Sequence, residues 1–397
     1  MWLSVDLTWR GAYPSYLGSL DLGSLPAPGH PAPPYTWLVA TPAANLRSRE
    51  RIGQVCAAGG DPLTLRLRLI DQLRRVVGFD WYAFVLTDPQ TMVGCAPLAD
   101  VPVALLPQLP RLIGLKYRTP LNRWTTIGPS GVSLLRRASG DSPSRSLVWS
   151  QLLAAHGVAD VASLVFRDRF GCWGFLDLWR CGPAARFHAG EEDFLASIVE
   201  PVTSALRRSQ ASTFHAQSPR PPRPGPVVLL LTRDLDVHAQ TPPTQALLRV
   251  LIPPGRDAAP IPAGAYNVAA QLLAADAGVD ASPPWSRVHL GEGLWLTLRA
   301  ATIGDAENRV GGSVGGGIAV SIEESSPAER VDLFARCFAL TSRERELLGH
   351  LVKGNDTKHI ARAMFLSEHT VQDDLKSIFA KTSTHTRKTL LSRVLGM

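Results

Sequence analysis

Hydrophobic residues change period several times along the chain, and each change predicts an element. From Asp61, LTLRLRLIDQLRRVV places Leu65, Ile70, Leu73 and Val76 on one face of an amphipathic helix, and FDWYAFVLTD follows as a β-branched and aromatic strand. VASLVFRD and CWGFLDLWR flank the turn Asp168-Arg169-Phe170-Gly171, the pattern of an antiparallel hairpin. FHAGEEDFLASIVEPVTSALRR then sets Phe194, Ile198, Val202 and Leu206 four apart, the stripe of a closing helix. A second series starts at residue 226. VVLLLTRDLDVHAQ reads as strand, tight turn and strand, and a helix is expected from near Thr241. SRVHLGEGLWLTLRA is a hairpin about Gly291-Glu292-Gly293, and GIAVSIEE is a last strand behind a GGSVGGG loop. Two stretches carry neither period. Residues 1–51, with Pro14, Pro26, Pro28, Pro31, Pro33 and Pro34, are expected to be irregular or disordered, and the basic, Pro-rich 209–225 reads as a semi-rigid linker.

Helical signals dominate the C-terminal end. Ser326-Pro327-Ala328-Glu329 is a capping box with Pro at the first helical position, and Val331, Phe334 and Phe338 recur on one face, so 326–339 is a connector helix. Thr341-Ser342-Arg343-Glu344 is a second capping box, opening a helix with Leu347, Leu348 and Leu351 buried and Gly354 as its left-handed stop. Asp356 caps the next helix, with Ile360, Ala361 and Met364 inward. Phe365-Leu366-Ser367 leads into a third helix with Val371, Leu375 and Ile378 at core spacing. Two short helices joined by three residues make a helix-turn-helix. On the third helix His369, Gln372, Asp373 and Lys376 form a polar stripe opposite the core. A solvated face would carry the same residue types, but with two caps and a three-residue turn the stripe is placed for a DNA major groove. Gln372 suits adenine, Lys376 guanine or phosphate, and Asp373 cytosine. Thr357 and Lys358, at a helix start, suit a phosphate, as do Arg387 and Lys388 at the start of a fourth helix through Leu390, Leu391 and Val394.

Composition narrows the classes. The 397 residues allow two to four domains; 45% are hydrophobic and 19% charged, and no apolar run approaches the roughly 20 residues of a membrane span. The N-terminus has no basic, apolar leader pattern, so a cytoplasmic, nucleoid-associated location without membrane contact is expected. Five widely spaced cysteines argue against a disulfide framework and a zinc site, and scattered His residues offer no metal-ligand pairing. The net charge is +7; residues 340–397 hold ten Lys and Arg against six acids, so the basic excess concentrates where the helix-turn-helix lies. No phosphate-cradling G-x-x-x-x-G-K-[ST] motif occurs. Catalysis has little support: thiol chemistry at Cys95 or Cys172 would need a basic cluster or a resolving partner. The acids Glu191-Glu192-Asp193 open a helix, where they favour its dipole. The expected protein is therefore not an enzyme and needs no cofactor.

The block from LTSRERELL through KHIARAMFLSEHTV to KSIFAKTSTHTRKTLL, residues 340–397, resembles the LuxR-type four-helix DNA-binding domain. The resemblance implies a transcriptional regulator that binds double-stranded DNA as a homodimer, the fourth helix often at the dimer contact, with RNA polymerase a further candidate partner. It places Thr357, Lys358, Thr370, Gln372, Asp373, Lys376 and Arg387 near DNA. Three positions depart from the pattern: His359 stands where Glu is usual, Asp374 where His is common, and Ser383 where Gly is usual. An acid pair at 373–374 would weaken affinity by repelling phosphates, so a second reading is a DNA-binding-impaired partner acting through heterodimers. The helix, strand, irregular middle, hairpin and helix of 52–208 resemble a GAF domain, and 226–324 resembles a PAS-like sensor. The expected architecture is thus multidomain: α+β GAF-like, α+β PAS-like and an all-α helix-turn-helix unit. Strand alternation puts Trp173, Phe175 and Trp179 on one face and Cys172 on the other, either as core or as the lining of a ligand pocket, with no residue set that selects the ligand.

Overall fold

The computed structural model describes residues 42–214, 227–244, 262–290, 294–304 and 316–396. Residues 1–41, the linker from 215 to 226, the helix expected from near Thr241 beyond residue 244, the hairpin turn 291–293 and most of the GGSVGGG loop lie outside them. Two five-stranded antiparallel sheets and a helical C-terminal unit make up the described fold.

The first unit begins with α1 (Pro42–Ala58), which occupies the last ten residues of the segment expected to be irregular. That expectation fails there because α1 has a tertiary partner: it packs on the helix that closes the unit, and buries Ile52 and Cys56. Helix α2 (Pro62–Val76) starts where Asp61 accepts from the amides of Leu63 and Thr64, and it buries Leu65, Leu69, Ile70 and Leu73. Strands β1 (Trp81–Thr87), β2 (Gly94–Asp100), β3 (Val132–Leu134), β4 (Val158–Asp168) and β5 (Gly171–Cys181) pair in the order β2-β1-β5-β4-β3. The β4–β5 hairpin forms as the pattern predicts: Asp168 accepts from the amides of Phe170 and Gly171. Between β2 and β4 lie α3 (Leu109–Arg118) and the short helices α4 (Leu135–Ser139) and α5 (Leu147–Gln151). Closing helix α6 (Ala189–Ser212) buries Phe194, Ile198, Val202 and Leu206 in one stripe. Glu191 does more than favour a dipole: it completes a capping box with His188 and pairs with the fully buried Arg180.

Strands β6 (Val227–Leu231), β7 (Val237–Gln240), β8 (Trp285–His289), β9 (Trp295–Thr302) and β10 (Ile318–Glu324) form the second sheet, in the order β7-β6-β10-β9-β8. Numbered within each unit, the two strand orders are identical. Helix α7 (Ala263–Asp276) packs on β9, and its outer side meets α3 and β2 of the first unit, which explains why it is buried on nearly every side. The linker expected from 209 begins instead as the end of α6. Phe214 then stacks on Trp295 at 5.6 Å and meets the Phe334 ring edge-on at 5.2 Å. An aromatic residue joins three elements at what looks, in one dimension, like the start of a spacer.

Buried charge fastens the units together. Asp88, after β1, receives Arg287 of β8 at 2.6 Å, both side chains almost fully buried. Arg287 also reaches Asp332 at 3.4 Å on the connector α8 (Pro327–Cys337). Asp332 in turn receives Arg336 at 2.9 Å and Arg345 at 3.3 Å, the latter on the first C-terminal helix.

Candidate nucleic-acid interface

Four helices follow the connector: α9 (Ser342–Val352), α10 (Thr357–Ala363), α11 (Glu368–Thr382) and α12 (Arg387–Leu395). The first three starts are fixed by the residues their sequence predicts, while α12 is capped by Thr386, which accepts from the Thr389 amide at 3.1 Å. Thr341 and Glu344 form the reciprocal box, Asp356 accepts from the His359 amide at 2.7 Å, and Ser367 accepts from the Thr370 amide at 3.0 Å. Gly354 stops α9 at φ +80°, and Leu347, Leu348, Leu351, Ile360, Ala361, Val371, Leu375, Ile378, Leu390 and Val394 make the core. Phe365, in the turn, has positive φ and is 95% exposed.

The polar stripe on α11 is outward: His369, Gln372, Asp373 and Lys376 are all exposed. Asp373 sits between His369, at 3.2 Å, and Lys376, at 3.1 Å; donation from Lys376 is the main cause that lowers its carboxyl pKa. Thr370 is half-buried and bonded to Ser367. Thr357 joins three elements, accepting from Arg387 at 2.7 Å and from Gln372 at 3.4 Å. Lys358 and Lys388 are exposed. Thr357, Lys358, Gln372 and Arg387 are thereby brought to one edge of the unit.

Asp374 corrects the expectation of an exposed acid pair. It is buried and paired with Arg343 of α9 at 2.6 Å, so it is an inter-helix tie, and Asp373 alone faces outward. Arg343 and Glu344 are the residues that sequence reasoning left without a role beyond capping. Burial would raise the Glu344 carboxyl; donation from Lys381, Ser377 and the Thr341 amide outweighs it and holds it down at about 2. The signal was present, since Arg343 and Glu344 fall on α9 opposite Asp374 and Lys381, but these partners lie 31 and 37 residues apart.

With this geometry, residues 339–394 match the family described as bacterial regulatory proteins, luxR family. The C-terminal unit is a LuxR-type DNA-binding domain. A monoamine regulon transcriptional regulator of Klebsiella aerogenes is 44% identical to it over 54 residues, 14% of this chain and 24% of that protein; the match therefore spans about a quarter of the relative's length. Among solved structures, Escherichia coli SdiA aligns over 88% of this chain and 98% of its own, at 10% identity and TM-score 0.32. The bacteriophytochrome RpBphP3 of R. palustris aligns over 81% and 77%, at 12% identity and TM-score 0.31. Similarity this low does not establish a shared fold. No helix among the described residues is long and apolar enough to cross a membrane.

The pocket residues expected upstream of the LuxR-type domain separate. A cavity lies between the β1–β2–β5–β4 face and α3. Trp179 lines it, and Phe175 stacks at 4.7 Å on Trp124, which also lines it. Cys172 and Trp173 are not among its lining residues. Trp173 sits at the hairpin end, donating to Asp168, and Cys172 lies buried beside the Thr87 hydroxyl that its carbonyl receives. Burial pushes the Cys172 thiol up to about 11 and the Cys95 thiol up to about 12, opposite to what a reactive thiolate requires. Lys116, Asp177 and Asn267, which line the cavity, are additions from the structure.

Proposed function

We propose that this protein is a sequence-reading transcriptional regulator that binds double-stranded DNA as a homodimer through its LuxR-type domain, under the control of the two sheet units. The exposed stripe of His369, Gln372, Asp373 and Lys376 beside Thr357, Lys358 and Arg387 carries this reading, because it combines base-edge and phosphate chemistry on one surface. His369 begins the stripe with Thr370 beside it, and Lys388 extends its basic edge. The sheet units are read as GAF-like and PAS-like sensory units, which the shared strand order supports. Control has a physical route. Asp88 and the Phe170 carbonyl of the first unit, Arg287 of the second, Asp332 and Arg336 of α8, and Arg345 of α9 form one continuous polar chain. Arg330 of α8 also donates to the Val394 carbonyl of α12 at 2.9 Å, so the fourth helix is held by the connector.

Fluorescence anisotropy of the full chain on the DNA upstream of its own gene, and on scrambled DNA across a salt series, tests the reading. Binding that prefers one sequence and weakens steeply with salt is expected. Absent or sequence-blind binding overturns it and favours a heterodimerising partner.

A further inference from the structure

The cavity under α3 has a defined chemistry. It measures about 90 Å³, several times the roughly 10–15 Å³ one water needs. Much of its wall is aliphatic: Ala83 and Val85 of β1, Ala99 of β2, Leu112 and Ile113 of α3, and Val148 of α5. Cavities with such walls stay dry and take apolar molecules.

Polar side chains break the apolar wall, and two of them, Asn122 and Ser146, are bonded within the protein, Asn122 to Ser133 and the Val161 carbonyl and Ser146 to the Trp149 amide. Lys116 and Asp177 form an ion pair at 2.8 Å, both about 6% exposed. Their remaining bonds run to protein: Lys116 to the Ser163 hydroxyl, and Trp124 Nε1 to Asp177 at 2.8 Å. The two charged side chains of the wall thus cancel each other, and a charged guest would bury an uncompensated charge. Asn267 comes from α7 of the second unit, accepting from the Tyr117 hydroxyl and donating to the Ala263 carbonyl. Trp179 is the exception to this self-sufficiency. Its ring is 2% exposed and lines the cavity, yet its Nε1 finds no acceptor among the described residues. Buried N–H groups are rarely left unpaired, because the desolvation cost is not repaid.

We infer that this cavity binds a small, uncharged, mostly apolar molecule carrying one hydrogen-bond acceptor, which takes the free Trp179 N–H. This rests on the sensory reading of the sheet units. Because Ala263 and Asn267 of α7 form part of the wall, the guest touches both units at once. Gly94 permits that approach: a Cβ there would lie 2.7 Å from Asn267 Oδ1. Occupancy therefore bears on the same interface that Asp88 and Arg287 clamp.

Isothermal calorimetry of the full chain with three probes of similar body tests it: acetophenone, with a carbonyl acceptor; toluene, without one; and benzoate, charged. Acetophenone is expected to bind at least tenfold more tightly than benzoate and more tightly than toluene. Trp179→Phe should weaken acetophenone about fivefold, the loss of one hydrogen bond, and leave toluene within about twofold. Ala99→Leu fills the cavity with the donor intact and should abolish binding of both neutral probes, with far-UV circular dichroism confirming the fold of each variant. Benzoate binding as well as acetophenone, no neutral probe binding, an unchanged acetophenone affinity in Trp179→Phe, or unchanged binding in Ala99→Leu overturns the inference. The titration contains no DNA, so its failure is separate from a failure of the anisotropy experiment.

Discussion

Asparagine at position 88 should loosen the clamp between the two sheets at a predictable cost. The Asp88 carboxylate accepts from the Arg287 amide at 3.1 Å, from its Nε at 2.6 Å and its Nη2 at 3.0 Å, and from the amides of Gln90 at 2.9 Å and Thr91 at 3.3 Å. Both oxygens face donors only, so the amide nitrogen of Asn must point an N–H at another N–H whichever way it turns. The Arg287 guanidinium also loses its close counter-charge while remaining about 1% exposed. Removing one partner of a buried pair costs about 3–5 kcal/mol. Asp332, 3.4 Å from Arg287 and 24% exposed, keeps part of the compensation, which places the expected loss near the lower end, about 3 kcal/mol. Urea denaturation of the wild type, Asp88→Asn, Arg287→Met and the double variant measures it. The double variant should lose at least about 1.5 kcal/mol less than the two single losses added, since replacing both partners leaves no orphaned charge. A loss below about 1 kcal/mol for Asp88→Asn, or strict additivity in the double variant, would refute the reasoning.

Within the LuxR-type domain, Gln372→Ala should cost about 1–3 kcal/mol at one base position and relax the preference there, whereas Lys358→Ala should weaken all sequences alike and reduce the salt slope; anisotropy on single-base operator variants separates the two, and equal losses on every sequence contradict the assigned roles. Glu344 has a folded pKa of about 2 against an ordinary 4.5. Its contribution, about 2–3 kcal/mol after allowance for the partly exposed Lys381, is therefore complete above pH 4.5 and drains as pH falls toward 2. Glu344→Gln should flatten chemical stability over that window. His289 has the opposite chemistry but the same direction: burial, then Arg330, lowers it to about 4. Stability should fall as pH drops from 6.5 to 4, and His289→Phe should remove that slope in a thermal-melt pH series. Ser383 ends α11 at φ 49°, so Ser383→Gly should gain about 0.5–1 kcal/mol by relieving a left-handed non-glycine; a lower melting temperature would show that the side chain is needed there.

The elements of this protein are legible one at a time because their causes are local. Caps at Thr341, Asp356 and Ser367, the stops at Gly354, and the stripes through Leu65 to Leu73 and Phe194 to Leu206 depend on residues within a few turns, and all of them form as the pattern requires. The polar stripe of α11 is readable for the same reason. What the sequence leaves open is which charges are buried. Arg287 and Asp88 are 199 positions apart, Tyr117 and Asn267 are 150 apart, and Asp374 reaches back 31 positions to Arg343. In one dimension each reads as a solvated charge or a surface amide, because the partner that makes burial tolerable is supplied only by the packing of a distant element. The cavity belongs to the same class. Its walls come from two strand pairs, three helices and a second unit, and the Trp179 ring, whose N–H is unpaired among the described residues, lines it. Local periodicity and capping thus determined the C-terminal helices, the β4–β5 hairpin and the exposed polar stripe of α11, while tertiary packing decided α1, α7, the interdomain clamp and the cavity, since free energy from burial depends on neighbours in space.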